Sequence, residues 1–559
     1  MTYKYGAYGH IKESVAQAAS TGGTAMVYVG VAPVNLARGY AASKVVNFPK
    51  KIINFTNAQA TLGLSKDWDT FTLCEAIEAH FNNKKGNIGP IYAINVLDPD
   101  LHRTTTSFSH SVKVTFKDSK AVVKNAGMID LEDLALDSLV SGTDYKAEKD
   151  GENIVLTDLK GALTSVVASY TGTGKLATLT TTNGRVDLLT DKIILDSISV
   201  FDKEGNVFVE DTDYSINYNF TTNAVIISGA NLPKEIVVTY AEVDPSKITK
   251  TDIIGAAIDG EYTGLYAVKL LYQELNTIIS GLGCPGFSHI PEVYNAMCTT
   301  VDKLNGHWDG MVFADAPIVD DDATAPQTIE KAIEWKKTNG YDSERSHPPF
   351  WPKAINASGQ IFHGSTLAMV EQMRINIEHD DIPMESFGNK TVPIVGLYFG
   401  KNSKAKGFDK EEANLLTAAG LATFTYWGGS WVLWGDHTAA YEYGKDIDPR
   451  ANFGVTMQML FHITNSFQKE WGPKVDKPMT VRLKDEILNR EQEKLDALVN
   501  AGALLGSPTV LFLESENSTE DIIQGNFKWD FGVTVTPPLK APEARVAYTT
   551  DGFSAYFNE

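Results

Sequence analysis

The residues that most constrain the fold lie near the end of the chain, where apolar and polar side chains alternate from Phe527 to Val535. Alternate side chains of a β-strand share one face, so this stretch predicts a strand with one buried face. Pro537 and Pro538 end it, because proline has no N–H to donate to a neighbouring strand. The sequence leaves open whether 526–536 completes the sheet of its own domain or that of another subunit.

A second strand-like run, 545–549, follows the two prolines, and the chain remains aromatic close to its last residue. Terminal residues are usually polar and poorly ordered, so an apolar end predicts docking. An extended segment beyond two prolines can reach the edge of a foreign sheet. For 543–557 we therefore favour pairing with a neighbouring subunit. The resulting hypothesis is a lattice-building protein whose termini are its connectors.

The first 23 residues predict a second connector. Tyr3, Tyr5 and Tyr8 precede a run of small and polar residues from Ser14 to Gly23, and this stretch could not form a core of its own. It is compatible with a disordered tail or with an arm that orders on a partner. The tyrosines favour the arm.

Length and charge restrict the class of protein. A chain of 559 residues predicts three or four domains. A formal charge of -21 opposes a nucleic-acid or anionic-membrane partner, because both require clustered lysine and arginine. Three cysteines without a CxxC pair indicate a reducing compartment. Without a signal-peptide pattern or a long apolar run, we expect a soluble protein made in a cytoplasm.

The patterns on either side of residues 101–245 predict an α/β protein. Buried strands at 24–32 and 91–97 flank a helix at 70–82, and 253–280 is predicted to be helical. Further helices are predicted over 328–337, 411–420, 451–469 and 480–500, and further strands over 310–315, 392–399 and 509–514.

Residues 101–245 differ in composition and contain an internal repeat. Thr143-Asp-Tyr145 returns as Thr212-Asp-Tyr214, and Val166-Val-Ala-Ser-Tyr170 returns as Val237-Val-Thr-Tyr240. Short strands and turns at this spacing predict two related β-modules in tandem, as one small sandwich or a pair. We expect them to face outward.

Two alternating runs, Thr423–Trp427 and Ser430–Trp434, flank Gly428 and Gly429. Two glycines between alternating strands strongly indicate a β-hairpin. Its tryptophans, Trp427, Trp431 and Trp434, could bind sugars, but in a hairpin they are more often core or interface anchors.

Several short motifs occur in the order found in one known family. They are Ala413-Asn-Leu-Leu416, Ala419-Gly-Leu421, Trp434-Gly-Asp-His-Thr438, Asn500-Ala-Gly-Ala-Leu-Leu-Gly506 and Asn517-Ser-Thr-Glu-Asp-Ile522. With them the chain resembles the contractile-tail sheath proteins of bacteriophages and phage-tail-like bacteriocins. The resemblance covers roughly 1–100 and 246–559. It departs from the family at 101–245, which is longer than the β-sandwich often found there.

The resemblance implies an α/β and α+β multidomain fold with extended terminal arms. The implied parts are an N-terminal arm (1–23), the N-terminal part of the core (24–100), an inserted β-sandwich-like repeat domain (101–245), a non-catalytic subtilisin-like α/β domain (246–435) and an α+β C-terminal sheath domain (436–559). In the family, the arms of adjacent subunits add strands to one another's C-terminal sheets. The residues implied for this strand exchange are Tyr3, Tyr5, Tyr8, Phe527, Trp529, Phe531, Val546 and Tyr548.

The function implied is a structural subunit that polymerises around a tail tube and contracts to drive the tube through a cell envelope. Its implied partners are other copies in a helical sheath, the tube protein, and baseplate and tail-terminator proteins. Neither nucleic acid nor membrane insertion is implied, and no cofactor or metal is expected. The implied location is the virion tail, assembled in the host cytoplasm.

An enzyme is the first alternative, since a subtilisin-like domain could carry an Asp, His and Ser triad. The candidates are Asp315, His363, and Ser365 or Ser430. Ser430 lacks the strand-to-helix turn of a nucleophile elbow, because Val432 stands where GxSxG has glycine. We therefore predict no catalysis.

Other site patterns are weak. Gly172–Lys175 lacks the first glycine of a phosphate loop, and Asp320–Asp322 lacks the spacing of a calcium loop. The remaining alternative is a β-repeat surface adhesin, which the missing signal peptide opposes.

Overall fold

The computed structural model describes residues 24–82, 85–124, 127–151 and 153–557. The chain divides into two compact units, Met1–Pro383 with Phe387–Gly472, and Met384–Ser386 with Pro473–Glu559. The sequence placed a domain boundary at 435/436, whereas helix Gly454–Trp471 belongs to the first unit. It is held there by Asn465, whose side chain bonds both the N–H and the carbonyl of Asp309 at 3.1 and 2.8 Å.

The first unit is built on a five-stranded sheet. Its strand order is Met311–Phe313, Gly281–Gly283, Met26–Gly30, Ile91–Asn95 and Lys50–Ile52. The first four strands are parallel, and Lys50–Ile52 runs antiparallel at one edge. The residues of the four parallel strands are buried, as expected for strands covered on both faces.

This sheet draws its strands from both sides of the β-rich segment. Met26–Gly30 pairs with Ile91–Asn95 on one side and with Gly281–Gly283 on the other. The chain leaves the sheet after Ile91–Asn95 and returns to it only at Gly281–Gly283. The β-modules are therefore an insertion between two neighbouring regions of one sheet.

The internal repeat is confirmed by the strand topology. Each module has six strands; the first, sixth and third form one three-stranded sheet, and the second, fifth and fourth form another. The first module contains Ser107–Thr115, Lys120–Lys124, Ala135–Leu136, Tyr145–Asp150, Asn153–Asp158 and Ser165–Thr173. The second contains Lys175–Thr180, Arg185–Leu188, Ser199–Phe201, Ser215–Asn219, Ala224–Ser228 and Glu235–Tyr240.

The two modules also share the turn that carries the repeated Thr-Asp-Tyr motif. In the first, the N–H of Val140 donates to the Asp144 carboxylate at 2.8 Å, and the N–H of Asp144 donates to the Val140 carbonyl at 2.8 Å. Val209 and Asp213 make the same pair of bonds at 2.7 and 2.8 Å. The motif recurs because its aspartate, Asp144 in the first module and Asp213 in the second, closes the same turn in each.

The prediction of helix over 253–280 was wrong. The structure has a short helix Lys250–Ile254, a hairpin Ala257–Ile258 with Glu261–Tyr262, a 3₁₀ turn Gly264–Lys269 and a helix Leu270–Leu275. Gly255 and Gly264 interrupt the helix with φ of +69° and +55°, and a Cβ at either would lie within 2.7 Å of backbone atoms. Only glycine allows this path.

The helices predicted at 70–82, 328–337, 411–420 and 451–469 are confirmed in the first unit, as Leu73–Phe81, Ile329–Thr338, Lys410–Ala418 and Gly454–Trp471. The sequence did not predict three further helices, Phe55–Leu62, Pro291–Val301 and Gly364–Glu378. The remaining strands are Lys353–Ile355, Ile361–Phe362, Gly396–Tyr398, Thr423–Trp427 and Ser430–Trp434. Gly364–Glu378 is buried on nearly all sides, which identifies it as the central helix of this unit.

The second unit contains few regular elements. They are helices Val481–Asn500 and Thr519–Ile523 and strands Thr509–Leu511 and Asp530–Gly532. The long helix begins at Thr480, whose hydroxyl accepts the N–H of Leu483. Gln492 ties this helix to the first strand, since its side chain bonds the Pro508 carbonyl and the Val510 N–H at 3.0 and 3.2 Å.

Candidate functional site

The predicted terminal strand lies along its own unit. Asp530–Gly532 pairs antiparallel with Thr509–Leu511, and Phe531 stands opposite Val510. Beyond them, the N–H of Leu505 donates to the carbonyl of Thr534 at 2.8 Å, and the N–H of Thr536 donates to that of Ala503 at 3.1 Å. Within one chain, 526–536 therefore pairs with its own unit. The exchange of Phe527, Trp529 and Phe531 between subunits remains a prediction.

The alternation of the strand is visible in its burial. Phe527, Trp529, Phe531, Val533 and Val535 are half-buried, and the residues between them are exposed. The rings of Phe527 and Trp529 lie 6.4 and 5.5 Å from the ring of Phe512. The apolar face is therefore directed as predicted but only partly covered within one chain.

The sheet that this strand completes is small. It has two strands of three residues each, and no third strand pairs with either in the described part of the unit. A two-stranded sheet is at best marginally stable in water, and three or more strands are needed for independent stability. Gln492 already occupies part of the outer edge of Thr509–Leu511. A strand pair without a third strand can still accept another extended segment.

The tail beyond the two prolines is largely exposed within one chain. Val546 and Tyr548 are 93% and 81% exposed, and 551–556 forms a 3₁₀ turn, Asp551–Tyr556, whose residues are also exposed. Between 537 and 549 no residue is paired in a strand. Tyr3, Tyr5 and Tyr8 lie outside the described residues. The predicted exchange of Val546 and Tyr548 into a neighbour remains a prediction.

The tryptophan hairpin forms as predicted, with Thr423–Trp427 antiparallel to Ser430–Trp434. Its three tryptophans have different surroundings. The indole N–H of Trp434 donates to the Asn414 side chain at 2.9 Å, and Trp431 lies edge-on to Tyr426 with ring centroids 5.8 Å apart. Trp427, next to the turn, is half exposed. The hairpin is thus anchored at its base and open at its tip.

Three of the hydrolase candidates, Asp315, His363 and Ser365, lie near the carboxyl ends of the parallel strands. The Ser365 N–H donates to Asp315 Oδ1 at 2.9 Å, and its hydroxyl donates to Asp315 Oδ2. Ser288 also donates to Asp315 Oδ2, at 3.2 Å. His363 instead contacts Glu75, with Nδ1 at 2.6 Å from Oε2 and the His363 N–H donating to Oε1 at 2.7 Å.

The charges around His363 indicate a buried ion pair with Glu75. Burial alone would lower the pKa of His363, but the Glu75 carboxylate, with Asp315, outweighs burial and the opposing Lys353, so the His363 pKa is raised. Burial raises the pKa of Asp315, although His363 and Ser365 oppose that shift. Sequence reasoning missed Glu75, because its helix pattern gives no signal for a partner 288 residues away.

Comparison with known proteins supplies the context for this geometry. No family model matches the chain. It is 25% identical over 374 residues to the tail sheath protein of Burkholderia phage BcepMu, in an alignment that spans 64% of this chain and 73% of that protein. The chain is a tail sheath homologue. The resemblance seen in its motifs is confirmed.

Solved structures similar to this tail sheath homologue include two crystal structures. The sheath tail protein of Desulfitobacterium hafniense has a TM-score of 0.44 and 10% identity, covering 90% of this chain and 93% of that one. The sheath tail protein of Listeria innocua has a TM-score of 0.43 and 11% identity, covering 93% and 96%. The contracted helical sheath of the anti-feeding prophage has a TM-score of 0.38 and 15% identity, covering 53% and 76%.

The side chains of the Asp315 cluster are buried and hydrogen-bonded to one another. Ser365 is 1% exposed and its hydroxyl is committed to a carboxylate, so it is neither accessible nor activated by histidine. Ser430 lies in the separate two-stranded hairpin, opposite Trp427. Among the described residues, no group of three or more His, Cys, Asp or Glu is arranged to hold a metal ion. No helix in the described ranges is long and apolar enough to span a membrane.

Proposed function

We propose that this chain is the structural subunit of a contractile tail sheath, polymerising around a tail tube and contracting to drive it through a cell envelope. The observation that carries the proposal is the 25% identity to a phage tail sheath protein over 64% of the chain. Its partners would be further copies, the tube protein, and baseplate and terminator proteins. Its place would be the virion tail, assembled in the host cytoplasm.

Strand exchange is the proposed joint between copies. Among the described residues, the two-stranded sheet of the second unit has no third strand, and the tail of the same chain carries exposed apolar side chains that are not paired in a strand. If the 545–549 run of one copy docks on that sheet in the next copy, the sheet gains a third strand and the tail gains a strand partner. Tyr3, Tyr5 and Tyr8 would lie on the strand donated by the N-terminal arm.

The sheet of the first unit and its buried Asp315 support a further proposal about the fold of this unit. Four parallel strands with a polar cluster at their carboxyl ends are compatible with a subtilisin-like α/β domain, although open α/β sheets in general place their sites at that edge. Here the histidine serves an ion pair instead of a serine, so this domain would be non-catalytic. We extend this to the predicted domain order, with 101–245 as an outward-facing insertion.

Contraction would draw on energy stored in the lattice, since the sequence lacks a phosphate loop for nucleotide. The proposed mechanism is a two-state lattice in which each copy rotates outward and buries more surface after release. Joints made by main-chain pairing allow this, because the residues beside Pro537 and Pro538 can reorient while the paired strands stay docked.

Electron microscopy of the purified protein tests the proposal. A sheath subunit forms tubes of sheath-like diameter as its concentration rises, because its own copies supply the missing strands. A protein that stays monomeric in sedimentation and shows no tubes at any concentration, with or without its tube protein, contradicts it. That result is also the one expected of an adhesin.

A further inference from the structure

The tip of the tryptophan hairpin presents two aromatic side chains to solvent. Tyr426 and Trp427 are 59% and 51% exposed. Gly428 and Gly429 join the strands with φ of +62° and +87°, as a type I′ turn requires. Such a turn matches the natural twist of the strands, so the rings are held at the end of a regular element.

The base of the same hairpin is firmly packed. Phe424 and Leu433 are fully buried, and the Phe424 ring lies 6.1 Å from that of Phe350. The N–H of Val392 donates to the Trp431 carbonyl at 3.0 Å. The exposure of the tip therefore results from a projecting hairpin and not from loose packing of the element.

A lysine is held against the exposed tryptophan. The Lys410 ammonium lies 3.7 Å from the centroid of the Trp427 ring and 5.0 Å from that of Trp434. Cation–π contacts of this kind orient an ammonium group without neutralising it. Lys410 forms no ion pair with a carboxylate of the described residues. Its positive charge is available at the surface.

The segment that leads to Lys410 is basic in an otherwise acidic protein. Residues 401–410 contain four lysines and one aspartate, whereas the whole chain carries a formal charge of -21. A second copy of the chain is therefore a source of carboxylates that matches this surface in charge. Exposed aromatic rings beside a cation are also the side chains that most often dominate the energy of an interface.

We propose that the hairpin tip, defined as Lys410, Tyr426 and Trp427, docks on an acidic surface of a second copy of this chain. The two rings are buried against the neighbour, and the Lys410 ammonium pairs with a carboxylate there. This contact is separate from strand exchange, because it uses the first unit and side chains in place of the tail and main chain. It rests on the proposed function, in which copies of the chain pack together.

Site-specific photocross-linking tests the contact directly. A benzoylphenylalanine at position 427 is introduced into the full chain, which is polymerised, irradiated and digested for mass spectrometry. We expect cross-links to an acidic peptide of another copy, distinguished from internal ones by mixing isotopically light and heavy protein. Cross-links confined to the same copy, or to a different protein such as the tube when it is present, overturn the proposal.

Substitution provides the second measurement. We expect the double variant Tyr426→Ser with Trp427→Ser to raise the concentration needed for polymerisation at least about tenfold, since it removes two interface anchors. We expect Lys410→Gln to raise it less, and the loss to shrink in high salt. The matched control is Tyr443→Ser, which removes another exposed aromatic residue of the same unit.

The outcomes separate this inference from the function on which it rests. If wild-type protein polymerises and the double variant polymerises equally well, the hairpin contact alone is refuted. If wild-type protein never polymerises, both are refuted. If the double variant loses both assembly and melting temperature, Trp427→Tyr takes its place, because it keeps an aromatic ring of smaller area. Assembly of Trp427→Tyr at the wild-type concentration then counts against the contact.

Discussion

Removing residues 540–559 is predicted to abolish sheath assembly and to leave the folded subunit intact. Within one chain, Val546 and Tyr548 are 93% and 81% exposed, and no residue between 540 and 549 is paired in a strand. The stability of the isolated subunit therefore depends little on this segment. We expect its melting temperature to change by less than about 1 °C, which corresponds to roughly 1 kcal/mol for a chain of this length.

The effect on assembly follows from what the segment would bury. Val546 and Tyr548 each contribute roughly 2 kcal/mol if they become fully buried. A strand of five residues adds about four main-chain hydrogen bonds at about 1 kcal/mol each. The gross gain is then roughly 8 kcal/mol per joint, and ordering the tail and the partner removes about half of it. The remaining ~4 kcal/mol is about a thousandfold in association.

Sedimentation and negative-stain microscopy at matched concentrations measure this effect. The truncated protein should remain monomeric at concentrations a hundredfold above those at which the full chain forms tubes. Val546→Ser with Tyr548→Ser should weaken assembly without abolishing it, since the main-chain bonds persist. Tubes formed by the truncated protein at the wild-type concentration would show that residues 540–559 are not needed to join the copies.

Three further predictions concern the subunit itself. Glu75→Gln should cost about 3 kcal/mol in urea unfolding at pH 6, because it removes the carboxylate that stabilises the buried imidazolium of His363, which must then lose its proton or stay unpaired; Glu78→Gln, one turn away, is the control. Because the His363 pKa is raised in the fold, the ion pair stabilises the fold fully below the unfolded pKa of about 6.5, and this stabilisation is lost as the pH rises through the folded pKa. The loss of unfolding free energy in Glu75→Gln should therefore shrink by pH 9. Tyr145→Ala should cost roughly 3–5 kcal/mol and increase hydrogen exchange in the first β-module most, since its ring is 2% exposed; uniform exchange across the chain would contradict a separate module. A fluorophosphonate probe should label neither Ser365 nor Ser430, and labelling of either would restore the hydrolase alternative.

The sequence determined local elements well wherever one short pattern fixed the backbone. The helix predicted at 480–500 begins after Thr480 because a hydroxyl there caps it. The glycine pair at 428–429 fixed the hairpin, and the repeated Thr-Asp-Tyr motif marked the same turn in both modules. In each case the determining contacts are a few residues apart.

Prediction failed where distant parts of the chain decide the structure. Gly255 and Gly264 break a helix that the apolar pattern favoured, because the backbone at each of them packs directly against the backbone of the other's turn. The Glu75–His363 pair depends on two helices meeting across the first unit, and no periodicity encodes that meeting. For 526–536, both pairings satisfy the same alternation, so the sequence could not choose between them.

The most direct test of strand exchange is a cryo-EM map of the assembled sheath that resolves residues 543–549 and the strand pair Thr509–Leu511 with Asp530–Gly532. The account predicts that 543–549 of one copy lies in main-chain pairing beside that strand pair in the next copy, with Val546 or Tyr548 buried against it. A map in which both ends of the chain fold onto their own molecule, and copies touch only through side chains, would contradict it.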